Sequence, residues 1–219
     1  LEEELRRRDL RVTISWMRGT HTLASLLAKL LSRFTIFKGF DNPYYNITVP
    51  RRMKKLWQTI EFVSMLPILF TKFLLPNLLG YTIIGERGLL DFIIWISITT
   101  NDPNFIQSFI GRTTIALGLK YFLNIYIRAD LEALQARRYD KTSWSIPHQL
   151  TLYDTLTEAL ETPIIDTTNK NVNESLKELL NILHTEHKKL KESIEKQNLE
   201  LIRLYAETKK ANRAKSAFL

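Results

Sequence analysis

The sequence predicts an all-α protein: a membrane-embedded helical hairpin with an N-terminal amphipathic helix and a C-terminal long helix of coiled-coil type. Three observations carry this expectation. Residues 62–84 hold one charge, Lys72, in 23 positions, enough at ~1.5 Å per helical residue to cross a hydrocarbon core of ~30 Å. A second apolar stretch, 105–127, has the same length. Finally, from Leu176 to Ala211 a mostly apolar seam keeps a 4-3 spacing that never slips, the signature of a coiled coil. The corresponding organisation is a basic arm with an amphipathic helix (1–58), a membrane-embedded region (59–127), short helices and a linker (128–170), and the coiled-coil-type helix (171–216).

Composition narrows the function classes. The 219 residues are 45 % hydrophobic and contain no cysteine, which excludes disulfides, thiolate zinc sites and thiol nucleophiles. The mean hydropathy of −0.13 is too low for a polytopic transporter. The net charge of +8 is uneven: residues 1–58 carry 12 Lys/Arg against 5 Asp/Glu, residues 59–126 carry 4 against 4, and the remainder 15 against 14. Such basicity ahead of an apolar segment fits the positive-inside rule, and nucleic-acid binding is the alternative. The chain opens Leu-Glu-Glu-Glu, which points to a processed or truncated start whose acidic residues do not suit a targeting peptide.

Taken in order, residues 1–16 read as a helix with an acidic first turn, followed by the basic cluster Arg6, Arg7, Arg8 and Arg11, solvated or facing lipid headgroups. Over residues 22–34, Leu23, Leu26, Leu27, Leu30, Leu31 and Phe34 recur at helical spacing with Lys29 and Arg33 elsewhere. This is an amphipathic helix suited to a protein core or a membrane interface. Residues 37–52 are a loop broken by Gly39, Pro43 and Pro50, in which Phe40, Tyr44 and Tyr45 suit an interfacial aromatic belt. The triplet Asn46-Ile47-Thr48 is a glycosylation sequon, expected to stay unmodified beside so many basic residues. Arg51, Arg52, Lys54, Lys55 and Trp57 are the expected membrane-interface anchors, with nuclear import as the other reading of that basic cluster.

Within 59–85, Lys72 is an intramembrane polar candidate, either a functional site or a cation brought to a wet surface by bending at Pro67 and Pro76. Residues 89–98 are apolar apart from Asp91 but too short to span, and Asn101-Asp102-Pro103 ends them. The 105–127 stretch contains Arg112, the second intramembrane polar candidate, and Gly111 and Gly118, which permit close helix approach. Residues 86–104 hold one Arg against three acidic residues, whereas Arg51–Lys55 and Arg128, Arg137, Arg138 and Lys141 flank the outer ends. Two passes with both termini on the positive-inside side follow.

Residues 129–138 continue helical, a break follows around Pro147, and capping boxes at Thr151–Asp154 and Thr155–Glu158 predict a short helix to about Leu160. After Pro163 and a polar linker, Asn171 and Glu174 supply a start cap for the tail. Its seam, the expected partner-binding surface, includes Leu176, Leu180, Leu183, Leu190, Ile194, Leu201 and Leu204, interrupted by His187 and Gln197. Leu199 and Ile202 lie off it. Both a homodimeric coiled coil and packing on other subunits fit.

No chemistry is legible. The four histidines include His184 and His187 at i, i+3, but both sit in a strongly polar helix, so no metal or other cofactor is expected. No phosphate-binding glycine loop, nucleophile elbow or HExxH motif occurs. The expectation is a non-enzymatic integral membrane subunit, tether or assembly factor of an organelle or endomembrane (mitochondrial inner membrane, endoplasmic reticulum or nuclear envelope), with membrane lipids and other protein subunits as partners. The alternatives are a soluble all-α adaptor whose basic arm contacts nucleic acid, and an ion or proton pathway through Lys72, Asp91 and Arg112.

Overall fold

The most apolar stretch folds as helix from Arg51 to Leu78 and leaves that helix before residue 85. This computed structural model describes residues 1–17, 23–42, 46–137 and 146–217. A 3-10 turn, Arg51–Met53, leads into α3 (Lys54–Leu69), a π-helical turn (Phe70–Leu74) and α4 (Leu75–Leu78). The wide turn lies between Pro67 and Pro76. Pro76 has no N–H for the Lys72 carbonyl and its ring crowds that residue, so the backbone opens by one residue there. The helix ends at Gly80, whose φ of +81° is the left-handed conformation. Its N–H donates to Asn77 O, and the Tyr81 N–H to Pro76 O, both at 3.0 Å, a Schellman closure.

Beyond that stop, Thr82, Ile83 and Ile84 form β3 (Thr82–Arg87), as β-branched residues prefer. β3 pairs in parallel with β1 (Val12–Trp16), with Val12 opposite Thr82 and Ile14 opposite Ile84, and a bulge between Ser15 and Trp16. The all-α expectation is corrected here. The described residues are mainly helical, 69 % helix and 12 % strand, with a parallel strand pair. The helix expected over 1–16 is also shorter: α1 (Glu2–Arg6) stops before Asp9, whose φ is +58°, and the β-branched run after it becomes β1. Between β1 and the 3-10 turn lie α2 (Leu23–Leu31) and β2 (Lys38–Asn42). β1, the helical crossover and β3 thus form one βαβ connection.

The core sits around α5 (Leu89–Thr99), where Leu89, Leu90, Phe92, Ile93, Ile94, Ile96 and Ile98 are all buried. A helix apolar on every side is stable only when surrounded, and α5 is surrounded by Met65, Leu69 and Phe73 from the α3–α4 helix, by Phe105, and by Leu156. Asp91 caps its start, accepting from the Gly88 N–H at 2.8 Å and from the Tyr153 hydroxyl at 2.6 Å. A smaller core joins Ala28, Phe37, Ile47, Val49 and Trp57.

The 105–127 stretch is not one helix. A 3-10 turn (Pro103–Gln107) precedes α6 (Phe109–Tyr121), which Ser108 caps by accepting the Gly111 N–H at 3.1 Å; extended backbone and β4 (Tyr126–Arg128) follow. Thirteen helical residues reach ~20 Å, short of a bilayer core. Among the described residues, only Arg51–Leu78 is long and apolar enough to cross a membrane. The second limb of the expected hairpin therefore falls short as a helix. α7 (Leu131–Arg137) and α8 (Ile146–Ala159) come next. α8 begins before the expected caps: Thr151 is inside it and its hydroxyl donates to Pro147 O. Arg128 pairs with Asp154 at 3.0 Å, and Tyr126 stacks on Tyr153. Tyr44, Tyr45, Arg138 and Lys141 lie outside the described residues.

The chain divides into two units, Leu1–Ile164 and Ile165–Leu219. The arm, the apolar region and the short helices thus fold within the first. The second is dominated by α9 (Val172–Ala217), 46 residues and ~69 Å long. Its start is the expected reciprocal cap. The Glu174 N–H donates to Asn171 Oδ1 at 3.0 Å, and the Asn171 N–H to Glu174 Oε2 at 2.9 Å.

Candidate functional site

The surface that stands out is built by α2, which packs with its small residues inward, and by the α3–α4 helix. α2 buries Ala24, Ser25 and Ala28, and the Ala24 N–H, one of the unpaired donors of a helix start, donates to Ser64 Oγ of α3 at 3.0 Å. Three of its leucines go the other way, Leu23 and Leu26 each 62 % exposed and Leu30 exposed as well, while Leu27 and Leu31 are half-buried against the smaller core. Small residues four apart at a helix contact, with large apolar ones turned outward, is the arrangement membrane helices use.

The α3–α4 helix repeats this division. Trp57, Gln58, Ser64, Met65, Leu69 and Phe73 face protein, whereas Leu56, Val63, Leu66, Phe70, Leu75 and Leu78 are exposed. Only 22 % of its most apolar 18-residue window is buried. α5, the other strongly apolar helix, is buried along its length. The first helix thus carries a second apolar face that the core does not use.

Sequence periodicity reached only part of this site. Arg51, Arg52 and Lys55 are exposed at the start of the helix. Lys54 instead donates to Asn101 O at 2.8 Å, at the electronegative end of α5. Gln58 beside it donates to Asp102 Oδ2 at 2.8 Å, so the α3 start is fastened to the α5 end. Trp57 is corrected: at 4 % exposure it belongs to the smaller core, not to an interface. Lys72 is exposed, with Nζ 5.6 Å from the Trp16 ring centroid, a cation–π geometry. Arg112 is exposed on α6. Asp91, the third member of the pathway alternative, is occupied as a helix cap. The basic arm is partly neutralised by the acidic residues of α1, where Arg6 pairs with Glu2 at 2.8 Å and Arg8, just beyond the helix, with Glu4 at 3.4 Å.

No protein-family model, no curated protein and no solved structure matches this chain. Among the described residues, no three His, Asp or Glu side chains converge as a metal site would need. Ala24, Ala28, Ser64 and Gln58 were missed by sequence reasoning that followed the leucines. The four-residue spacing of Ala24 and Ala28 was the available signal.

One titratable group lies on the covered face. Burial pushes the Glu61 carboxyl up to about 7, against a hydrogen bond with Trp57 that favours the charged form. The folded protein therefore holds this proton more tightly than the unfolded chain, and stability falls as pH rises from about 4.5 through about 7. Glu61→Gln is expected to flatten that fall and to stabilise the protein at pH above the shifted value by about 2 kcal/mol. Thermal melts across this range check it; a parallel pH dependence in both proteins would refute the assignment.

On α9, Leu176, Leu180 and Leu183 are half-buried, and Leu190, Ile194, Leu201 and Leu204 are exposed. Tyr205 is exposed beside the seam, and Leu199 and Ile202 are exposed off it.

Proposed function

We propose that this protein is a non-enzymatic membrane-anchored subunit or tether. In this reading the outward face of α2 and α3–α4 is lodged in an organelle membrane, and α9 is the arm that binds partners. The observation that carries the reading is the helix Arg51–Leu78, of membrane length and largely unburied while a shorter helix fills the core. In water, the exposed leucines of α2 and α3 would cost roughly 25 cal/mol per Å² left uncovered.

Insertion by one face suits this fold better than a two-pass hairpin. The inner side of α3–α4 packs on the core around α5, and its start bonds to the α5 end. A helix covered in this way by a unit with open strand edges cannot be ringed by lipid, because those edges find no partners in hydrocarbon. Lipid then meets only the outward side chains, Leu56, Val63, Leu66, Phe70, Leu75 and Leu78 with Leu23, Leu26 and Leu30 of α2, and Arg51, Arg52 and Lys55 lie at headgroup level. Both termini stay on one side without a second pass. The mitochondrial inner membrane, the endoplasmic reticulum and the nuclear envelope all offer such a surface.

Vesicle flotation tests the proposal. The protein is expected to float with vesicles containing anionic lipid and to remain bound in high salt, since apolar insertion survives screening. Stripping by salt would reduce the contact to surface electrostatics and sink the insertion reading. A protein that stays with the dense fraction and is monodisperse without detergent would favour the soluble adaptor.

A further inference from the structure

We infer that the seam of α9 is a self-recognition surface, and that its occupant is a second α9 of the same chain lying parallel and in register. The inference rests on the reading of the tail as a partner-binding arm, and it names the partner. The 4-3 spacing places Leu176, Leu183, Leu190, Gln197 and Leu204 at d positions and Leu180, His187, Ile194, Leu201 and Thr208 at a positions. Leucine at four of these five d positions, with β-branched Ile194 and Thr208 beside Leu180 and Leu201 at a, is compatible with two parallel strands.

Charge decides orientation. The g edge carries Glu186, Glu200 and Glu207 and the e edge carries Lys177 and Lys191. In a parallel pair each g residue meets the e residue five positions further along the second helix, so Glu186 faces Lys191 of the second copy. Glu200 faces Tyr205, and no like charges meet among the described side chains. An antiparallel pair would set the acidic g edge against itself. A partner of other sequence needs none of this self-complementarity.

Register follows from the two polar seam positions. In register, His187 meets His187 and Gln197 meets Gln197 of the second copy, and each has a polar neighbour. A slip of one heptad would seat His187 against Leu180 or Ile194 and leave it without a hydrogen-bonding partner across the seam, at a cost that selects against the slip. In the single chain Glu186 pairs within its own helix with Lys189 at 2.7 Å, both side chains remain solvated, and Leu190, Ile194, Leu201 and Leu204 are uncovered.

The absence of native cysteine makes crosslinking decisive. In the full-length protein, Leu190→Cys and Leu204→Cys, made singly and oxidised, are each expected to give a disulfide-linked dimer. The outward-facing Glu192→Cys is expected to give little. Only a parallel, in-register pair links at both d positions; an antiparallel pair links at one at most. Glu186→Lys should weaken dimerisation about tenfold by opposing Lys191 of the second copy, and adding Lys191→Glu should restore it. Circular dichroism confirms that the helix is retained. Crosslinking at one position, at neither, or equally at residue 192 overturns the inference, as does failure of the double reversal to rescue. Flotation of the same samples is scored separately: loss of dimer with membrane binding retained removes this inference alone, and loss of flotation with crosslinking intact removes only the membrane reading.

Discussion

Val63→Glu, Leu66→Glu and Phe70→Glu, made together, are expected to release the protein from membranes while leaving its fold in place. The three side chains lie on one face of α3 and the π-helical turn after it, spaced three and four apart, and are 50 %, 39 % and 53 % exposed. If that face is inserted, removing three large apolar groups forfeits about 1.5 kcal/mol or more each, and the carboxylates add a charge-burial cost. The sum, at least about 4–5 kcal/mol, lowers vesicle partitioning by roughly a thousandfold. The thermal melt should barely move, because exposed substitutions away from caps and cores usually cost little. Met65→Glu and Leu69→Glu are the opposite case. Met65 is 1 % and Leu69 is 9 % exposed within the core, so each buries an unpaired carboxylate and should unfold the unit. Flotation beside thermal melting separates the two faces of one helix. Continued flotation of the triple variant would remove lipid from the outward face, and its unfolding would show that the face is covered by protein.

The same division between faces explains what could be read in advance. The tail was legible down to its cap: Asn171 and Glu174 meet as their spacing demands, since a capping box is local chemistry within four residues. The apolar run 62–84 was legible as helix as far as Leu78. The parallel strands were not. Val12–Trp16 finds its partner some seventy residues later in Thr82–Arg87, and a five-residue run with three β-branched residues behind a charged helix start gives little sign of so distant a pairing. Trp57 follows basic residues as an interfacial anchor would, but whether a Trp faces lipid or Phe37 and Val49 depends on packing that periodicity does not contain. α2 is the clearest instance. Its spacing marks a leucine stripe, yet a stripe pattern cannot say which part of it goes inward. Ala24, Ser25 and Ala28 are buried, Leu27 and Leu31 are half-buried against the smaller core, and Leu23, Leu26 and Leu30 are exposed.

Gly111→Ala is expected to destabilise the first unit by about 2–4 kcal/mol, and Gly118→Ala to be neutral or slightly stabilising, although both glycines lie in α6. A Cβ on Gly111 would stand 2.3 Å from Phe105 O and 2.6 Å from Ile106 O. These are backbone atoms of a turn that cannot yield cheaply. Phe105 is buried at 2 % exposure, its carbonyl accepts the Ser108 N–H, and Ser108 Oγ accepts the Gly111 N–H. Moving the turn would unseat a core aromatic and disturb a helix cap together, the sources of large overpacking and capping losses. On Gly118 the added carbon would lie 3.5 Å from Leu89 Cβ and 3.8 Å from Leu90 Cδ2, ordinary contact against α5, while the helix gains roughly 0.5–1 kcal/mol from losing a glycine. At about 2–4 °C per kcal/mol for a unit of this size, differential scanning calorimetry should place the two variants about 5–15 °C apart. The contrast also tests the topology. In a two-pass hairpin with α6 surrounded by lipid, neither position would meet a fixed backbone, and both alanines would behave alike. Equal melts for the two variants would therefore argue against the packing of α6 on α5 and its preceding turn, and for the longer helix that this structure does not contain.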